Sequence, residues 1–127
     1  MKRITPAEVL RAYEATGLRP SRGVWFEVWL GTGGGETRWC GCGLTALALA
    51  AGLPERELVR QSKHVQALTV LGALDGIATG APSYAFGFFR GFDGGPLDGM
   101  DRSIEAIRDG YADGVHAWQA VAQRYAL

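Results

Sequence analysis

The first 17 residues carry a helical pattern of apolar positions with a signal at each end. Residues 5–8 (TPAE) form a capping box with proline at the first helical position. Val9, Leu10 and Tyr13 supply the apolar stripe, and Gly17 supplies the stop. The pattern predicts a helix over residues 6–16.

Strand-like residues replace this pattern between positions 24 and 40. Residues 24–30 (VWFEVWL) are rich in aromatic and β-branched residues and lie between glycines. The glycine-rich stretch 31–35 and the short segment 37–40 predict the turn and return strand of a β-hairpin over about 24–40. Residues 44–51 (LTALALAA) have no polar face, so we expect a buried central helix over about 43–51.

Two later segments fit either a helix or a strand. Periodicity does not decide between the two for residues 65–71 (VQALTVL). A helix over residues 84–92 (YAFGFFRGF) would place Tyr84, Phe88 and Phe92 on one stripe. Pro82 and the small residues favour the helix for this second segment.

The last element is long. From residue 104 to residue 125 apolar residues recur at steps of three and four, which predicts an amphipathic helix over about 102–125. Asp101 or Ser103 is the predicted N-cap.

Glycines interrupt both of the last two helices with the same spacing. Gly87 and Gly91 lie four residues apart, as do Gly110 and Gly114. A glycine inside a helix costs about 1 kcal/mol relative to alanine, but a pair at this spacing lets two backbones approach closely. We therefore predict that these two helices cross at their glycines.

The chain has 127 residues, a length that fits a single compact globular domain over residues 1–127. The elements together predict an α+β fold that is mostly α. We expect four or five helices around the buried helix at about 43–51, with the one hairpin at about 24–40 packed against them.

Charge and hydropathy narrow the classes of function. Thirteen Lys and Arg balance thirteen Asp and Glu, so the chain lacks the basic excess typical of nucleic-acid-binding proteins. Residues 1–8 lack the apolar core of a signal peptide, and no apolar run approaches the length of a membrane span. We expect a soluble cytoplasmic protein with no membrane partner and with reduced cysteines.

Cys40 and Cys42 directly precede the predicted buried helix. A helix N-terminus favours a thiolate, so Cys42 is a candidate nucleophile. Residues 42–47 (CGLTAL) resemble in outline the helix opening of papain-like and bacteriocin-processing cysteine peptidases. That resemblance implies attack of the cysteine on an acyl carbon with a later histidine, here His64, as the base, and Asp75 to orient it. A thiol that caps and packs is the other interpretation, and the one we favour.

The same cysteines are candidate metal ligands. In an extended segment Cys40 and Cys42 point the same way, and His64 would complete three ligands of a zinc site. The second histidine, His116, falls on a polar edge of the last helix, which we interpret as a solvated face. We predict no cofactor, with zinc on Cys40, Cys42 and His64 as the alternative.

Three tryptophans, Trp25, Trp29 and Trp39, lie in or beside the hairpin. A two-sided apolar hairpin needs cover on both faces, and exposed tryptophans mark interfaces. We therefore predict a small protein without catalytic activity that binds a protein partner, or a second copy of itself, through the hairpin. A thiol-dependent hydrolase with Cys42 and His64 is the first alternative, and a zinc-stabilised domain is the second.

Overall fold

A computed structural model of the chain describes residues 3–23, 26–30, 37–52 and 81–127. The elements in chain order are helix α1 (Pro6–Thr16), strands β1 (Arg19–Pro20), β2 (Phe26–Leu30) and β3 (Thr37–Gly41), and helices α2 (Gly43–Ala50), α3 (Ala81–Asp93), α4 (Gly99–Arg102) and α5 (Glu105–Tyr125). The fold is mostly α with a small β part, which confirms the predicted class. The ambiguous segment 65–71 lies outside the described residues.

Helix α1 has the bounds that its end signals predicted. Thr5 is extended (φ −97°, ψ 154°), and its hydroxyl oxygen accepts a hydrogen bond from the backbone N–H of Glu8 at 3.3 Å. Gly17 adopts the left-handed conformation (φ 69°), and its N–H donates to the carbonyl oxygen of Tyr13. Local residues satisfy both ends, so short-range signals are sufficient to define this helix.

The predicted hairpin is formed by β2 and β3, which pair in antiparallel from Phe26 opposite Gly41 to Leu30 opposite Thr37. Strand β1 was not predicted. It pairs in parallel with the other side of β3, which gives the order β1–β3–β2. Two residues, one of them proline, carry no strand pattern of their own, so β1 exists only because β3 lies beside it.

Helix α2 is buried along most of its length, as its uniformly apolar sequence predicted. Its buried residues are Gly43, Leu44, Thr45, Ala46, Leu47 and Ala48. A Cβ added at Gly43 would lie 3.1 Å from the ring of Phe92 and 3.3 Å from Cγ1 of Val9. The first turn of α2 is therefore held between α3 and α1.

Helices α3 and α5 cross at their glycines, as the matched spacing predicted. A Cβ at Gly87 would overlap the carbonyl oxygen of Ile107, and one at Gly91 would overlap that of Tyr111. The relation is reciprocal, because a Cβ at Gly110 or Gly114 would overlap the carbonyl oxygen of the α3 residue opposite it, Tyr84 or Phe88. A hydrogen occupies each missing Cβ position, so all four glycines direct a Cα–H at a carbonyl oxygen, a weak hydrogen bond typical of close helix pairs.

The order of these contacts also gives the relative direction of the two helices. Gly87 faces Ile107 and Gly91 faces Tyr111, so residue numbers rise together along both helices. Helices α3 and α5 therefore run in the same direction. Residues 94–104, which include α4, return the chain to the start of the pair.

The start of α5 differs from the prediction. The helix begins at Glu105 with Ile104 as N-cap, which is extended and offers no side-chain cap. Asp101 and Ser103 are not its caps. Asp98 instead accepts the backbone N–H of Asp101 at 2.9 Å and caps the separate short helix α4. The predicted helix began at about residue 102, but Arg102 belongs to α4, which Asp98 caps.

The buried face of α5 is also displaced from the predicted apolar stripe. The buried residues of α5 are Ile107, Gly110, Gly114, Ala117 and Val121. Ile104 and Tyr125, at the two ends of the predicted stripe, are exposed. A helix that packs at backbone distance buries its smallest residues and leaves larger side chains at the margins of the contact.

A polar network fastens the start of the chain to the α3–α5 pair. The buried Tyr84 hydroxyl accepts the backbone N–H of Ile4 at 2.7 Å and donates to Oδ2 of Asp113 at 2.5 Å. Arg3 donates two hydrogen bonds of 2.9 Å to the same carboxylate. Burial, followed by the hydrogen bond to Asp113, holds the pKa of Tyr84 well above its ordinary value.

Candidate functional site

Cys42 occupies the N-cap position of α2, between the end of β3 and the first buried turn. Its side chain is 1% exposed, and its Sγ lies 3.5 Å from the hydroxyl oxygen of Thr45, which is itself fully buried. Beside it, the hydroxyl of Tyr13 donates to the carbonyl oxygen of Gly41 at 2.8 Å. The hairpin delivers Cys42 to the helix start as expected, but into the core of the fold.

Burial controls the chemistry of this thiol. Desolvation raises the pKa of Cys42 to about 11, against smaller lowering effects of the hydrogen bonds from Thr45 and Leu44. The helix N-terminus therefore does not outweigh the loss of water. At neutral pH the sulfur is a thiol without solvent access, whereas a nucleophilic cysteine needs a thiolate that substrate can reach.

Of the other residues of the predicted thiol and zinc sites, Cys40 alone is among the described residues. His64 and Asp75 lie outside the described residues. Cys40 is buried, and neither Cys40 nor Cys42 forms a disulfide. His116 is exposed on α5. Among residues 3–23, 26–30, 37–52 and 81–127 no group of three or more His, Cys, Asp or Glu side chains is placed to hold a metal ion.

The three tryptophans of the predicted interface are only in part described. Trp25 lies outside the described residues, while Trp29 and Trp39 are in β2 and β3. The register sets Trp29 opposite Arg38 and Trp39 opposite Val28. The two tryptophans of the hairpin are thus not cross-strand partners, and the sequence grouping of all three stays a prediction.

A cleft that the sequence did not indicate lies between the end of α1, strand β1 and the end of α5. It encloses about 300 Å³ and is lined by Tyr13, Glu14, Gly17, Leu18, Arg19, Pro20, Tyr125 and Leu127. We call it the Tyr13–Tyr125 cleft. The rings of these two tyrosines meet edge to face with centroids 6.2 Å apart. Its residues come from positions 13–20 and 125–127, so neither segment alone carries a signal for it.

The interior of the Tyr13–Tyr125 cleft is apolar. Tyr13 is fully buried and its hydroxyl is committed to Gly41, which leaves its ring to form the wall. Leu18 and Pro20 are buried, whereas Tyr125 is 37% and Leu127 56% exposed. The cleft thus combines buried walls with two large apolar side chains that remain in contact with solvent.

Charged side chains stand at the margin of this cleft. Glu14 and Arg19 line it and are exposed. Arg124 pairs with Glu14, with Nη2 to Oε1 at 3.3 Å. Both members of this pair are at least half exposed, so it contributes well under 1 kcal/mol to stability but sets the local charge.

No protein-family model, curated protein or solved structure matches this chain at a significant level. None of the helices described is both long enough and apolar enough to cross a membrane.

Proposed function

We propose that this protein acts by binding a protein partner, without catalysis, and that the Tyr13–Tyr125 cleft is the contact site. The observation that carries the proposal is a largely apolar cleft of about 300 Å³. Two of the large side chains that line it, Tyr125 and Leu127, are partly exposed to solvent. Interfaces concentrate their binding energy in pockets of this kind, which receive one large side chain of the partner.

The chemistry of the cleft supports binding over reaction. Among the described residues that line it there is no cysteine, histidine or serine, and the buried hydroxyl of Tyr13 is hydrogen-bonded to Gly41. Burial further raises the pKa of Tyr13 above its ordinary value, so the phenol stays neutral. The cleft therefore offers apolar contact and marginal charges rather than a nucleophile with a base.

The hydrolase centred on Cys42 is the competing proposal, and one labelling experiment separates the two. We expect iodoacetamide to modify native Cys42 at pH 7 more than about 100-fold more slowly than the urea-unfolded chain, because the raised pKa alone removes about that much thiolate. Labelling of the native thiol at a rate above that of the unfolded chain would establish a reactive cysteine.

Site-specific photo-crosslinking tests the cleft directly. A benzophenone side chain placed at Leu127 should yield a crosslinked protein from a lysate of the source cells. The same group at Phe86, which is 40% exposed on α3 and does not line the cleft, is the matched control. Excess unlabelled protein should compete with the crosslink, whereas excess Tyr125→Ala protein should compete less by a factor of about ten.

Two results would contradict this proposal. Equal crosslinking at positions 86 and 127 would show non-specific capture. Equal competition by wild type and Tyr125→Ala would show that the cleft does not contribute to binding. A third variant tests the predicted role of the tryptophans. If the partner binds the hairpin, Trp29→Ala rather than Tyr125→Ala should weaken the crosslinked complex.

A further inference from the structure

The chain turns sharply at Ala126, directly after α5. Ala126 adopts the left-handed conformation (φ 56°, ψ 47°), and among the described residues it is the one residue other than glycine with a positive φ. This conformation brings Cβ close to the following carbonyl oxygen, so it has a cost for alanine that it does not have for glycine. An unfavourable backbone conformation of this kind persists where neighbouring contacts support it.

The residues on the two sides of Ala126 are held differently. On the α5 side, the ring of Tyr125 meets the ring of the fully buried Tyr13. On the other side, Leu127 donates its backbone N–H to the carbonyl oxygen of Ala122 at 2.8 Å, while its side chain is 56% exposed. Ala126 thus joins an anchored helix end to a side chain that is only partly packed.

A right-handed Ala126 would place Leu127 elsewhere. Helix α5 would continue by one residue, and the N–H of Leu127 would donate to the carbonyl oxygen of Gln123 instead of that of Ala122. Because successive helical residues are rotated by about 100°, Leu127 would then point about 160° away from Tyr125. Both conformations keep one hydrogen bond, and the cost of a left-handed alanine is similar in size to the gain from half-burying a leucine. The two conformations are therefore close in free energy.

In its observed position Leu127 lines the Tyr13–Tyr125 cleft, as does the buried Leu18. The cleft of about 300 Å³ is present with Leu127 in place, so this side chain forms a wall of the cleft rather than a plug. Rotation of Ala126 to the right-handed conformation would remove that wall and open the cleft to water.

We propose that Ala126 is a hinge and that Leu127 is a movable wall, which closes the cleft when Ala126 is left-handed and opens it when Ala126 is right-handed. This inference rests on the proposed function and adds a conformational control to it. The apolar side chain of the protein partner binds the closed cleft, so the affinity scales with the fraction of molecules that are closed. Binding of the partner in turn increases that fraction.

Two substitutions at residue 126 shift this equilibrium in opposite directions. Ala126→Gly removes the cost of the left-handed conformation and weakens the helical one, so the closed state gains. Ala126→Val disfavours the closed state, because β-branched residues tolerate the left-handed conformation least. We expect each to change the ratio of closed to open molecules by about fivefold. Ala112→Gly is the matched control, since Ala112 lies inside α5 and does not line the cleft.

The position of the wall is measured by nuclear Overhauser contacts from the methyl groups of Leu127 to protons of the other residues that line the cleft. These contacts should strengthen in Ala126→Gly, weaken in Ala126→Val and stay unchanged in Ala112→Gly.

The affinity of the cleft is measured separately with N-acetyl-L-phenylalaninamide, which carries one large apolar side chain. Its binding to the ¹⁵N-labelled protein is followed through the backbone amides of Gly17 and Leu18, which lie in the cleft lining. With equal closed and open populations in the wild type, the affinity should rise by just under about twofold in Ala126→Gly and fall by about threefold in Ala126→Val. Ala112→Gly should bind the probe as the wild type does.

The outcomes separate this inference from the proposed function. Methyl contacts of Leu127 that are the same in both variants as in the wild type would overturn the hinge. Changed contacts with equal affinities, or tighter binding by Ala126→Val, would overturn the role of Leu127 as a wall while the cleft remains a binding site. No shift at Gly17 and Leu18 with the probe in any of the proteins would overturn both the wall and the proposed function.

Discussion

The α3–α5 crossing and the Cys42 junction are both tightly packed, but they differ in what determines them. At the crossing, four glycines without side chains let the two backbones touch, and their spacing of four alone predicts that the helices cross there. At the junction, the local sequence predicts the position of Cys42 at a helix start but not its environment. That environment is supplied by Tyr13 and Thr45 and by helices α1 and α3 around the first turn of α2.

The comparison teaches that the position of a side chain can follow from residues near it in sequence, whereas its chemistry depends on residues distant in sequence. A helix N-terminus by itself favours the thiolate of Cys42. Burial by residues distant in sequence acts in the opposite direction and dominates, which raises the pKa of the thiol to about 11. Two effects on one atom thus oppose each other, and the one of longer range prevails.

Gly91→Leu should produce the largest effect, because it places a large side chain where the two backbones touch. A Cβ at Gly91 would already overlap the carbonyl oxygen of Tyr111, so a leucine must separate the helices. We expect a loss of about 3 kcal/mol or more in the free energy of unfolding measured in urea.

Gly99→Leu is the matched control, since a Cβ at Gly99 meets no atom within 4 Å. It should change stability by no more than about 0.5 kcal/mol. A Gly91→Leu protein as stable as wild type would show that the two backbones do not need to touch. The claim that the glycines determine the crossing would then be wrong.

The free energy of unfolding at alkaline pH tests the burial of Cys42. The pKa of Cys42 is about 11 in the fold, above its ordinary value near 9. Between these values the native state holds a proton that the unfolded chain releases, so stability falls as pH rises. The contribution is fully present below about pH 9 and is lost through about pH 11, a total of about 2–3 kcal/mol.

Urea unfolding of wild type and Cys42→Ala from pH 7 to pH 10.5 isolates this contribution. Tyr13 and Tyr84, whose pKa values are also raised, remain in both proteins. The advantage of wild type over the variant should therefore shrink as pH increases. A constant difference across this range would mean that Cys42 titrates normally and is open to solvent.

Tyr84→Phe should have the next largest effect, because it removes a buried hydroxyl that serves both α3 and the N-terminal segment. The variant leaves the N–H of Ile4 without its acceptor and removes one of the donors to Asp113, which keeps those of Arg3. We expect a loss of about 1–3 kcal/mol in urea. The hydroxyl of Tyr111 donates to the carbonyl oxygen of Gly95 from a partly buried site, and Tyr111→Phe should cost about 1 kcal/mol or less.

If the two phenylalanine variants lost equal stability, the network around Tyr84 would be no more than an ordinary hydrogen bond. A larger loss in Tyr84→Phe instead means that the hydrogen bonds of Tyr84 stabilise the α3–α5 pair. The spacing of the glycines does not predict these polar contacts.

Much of the fold was predictable because its signals are local or periodic. The bounds of α1, the β2–β3 hairpin, the buried α2 and the helical state of residues 84–92 all follow from patterns within a few turns of chain. Strand β1 was not predictable, since two residues carry no pattern and depend on β3. The start of α5 was predicted wrongly because Asp98 caps a separate helix.

The candidate site was much less predictable. The Tyr13–Tyr125 cleft joins residues about 110 positions apart, and its members look ordinary in their own segments. Gly17 reads as a helix stop and Tyr125 as the last residue of an apolar stripe. Only the packing of the end of α5 against α1 and β1 turns these two roles into the walls of one cavity.

Thr5→Ala tests the smallest and most local of these signals. The hydroxyl of Thr5 accepts the N–H of Glu8 at the start of α1, so its loss should cost about 1 kcal/mol in urea unfolding. Thr5→Ser keeps the oxygen and should recover most of that loss. If serine were as destabilising as alanine, the methyl group rather than the cap would matter. Even this end of α1 would then depend on tertiary packing, as the Cys42 junction does.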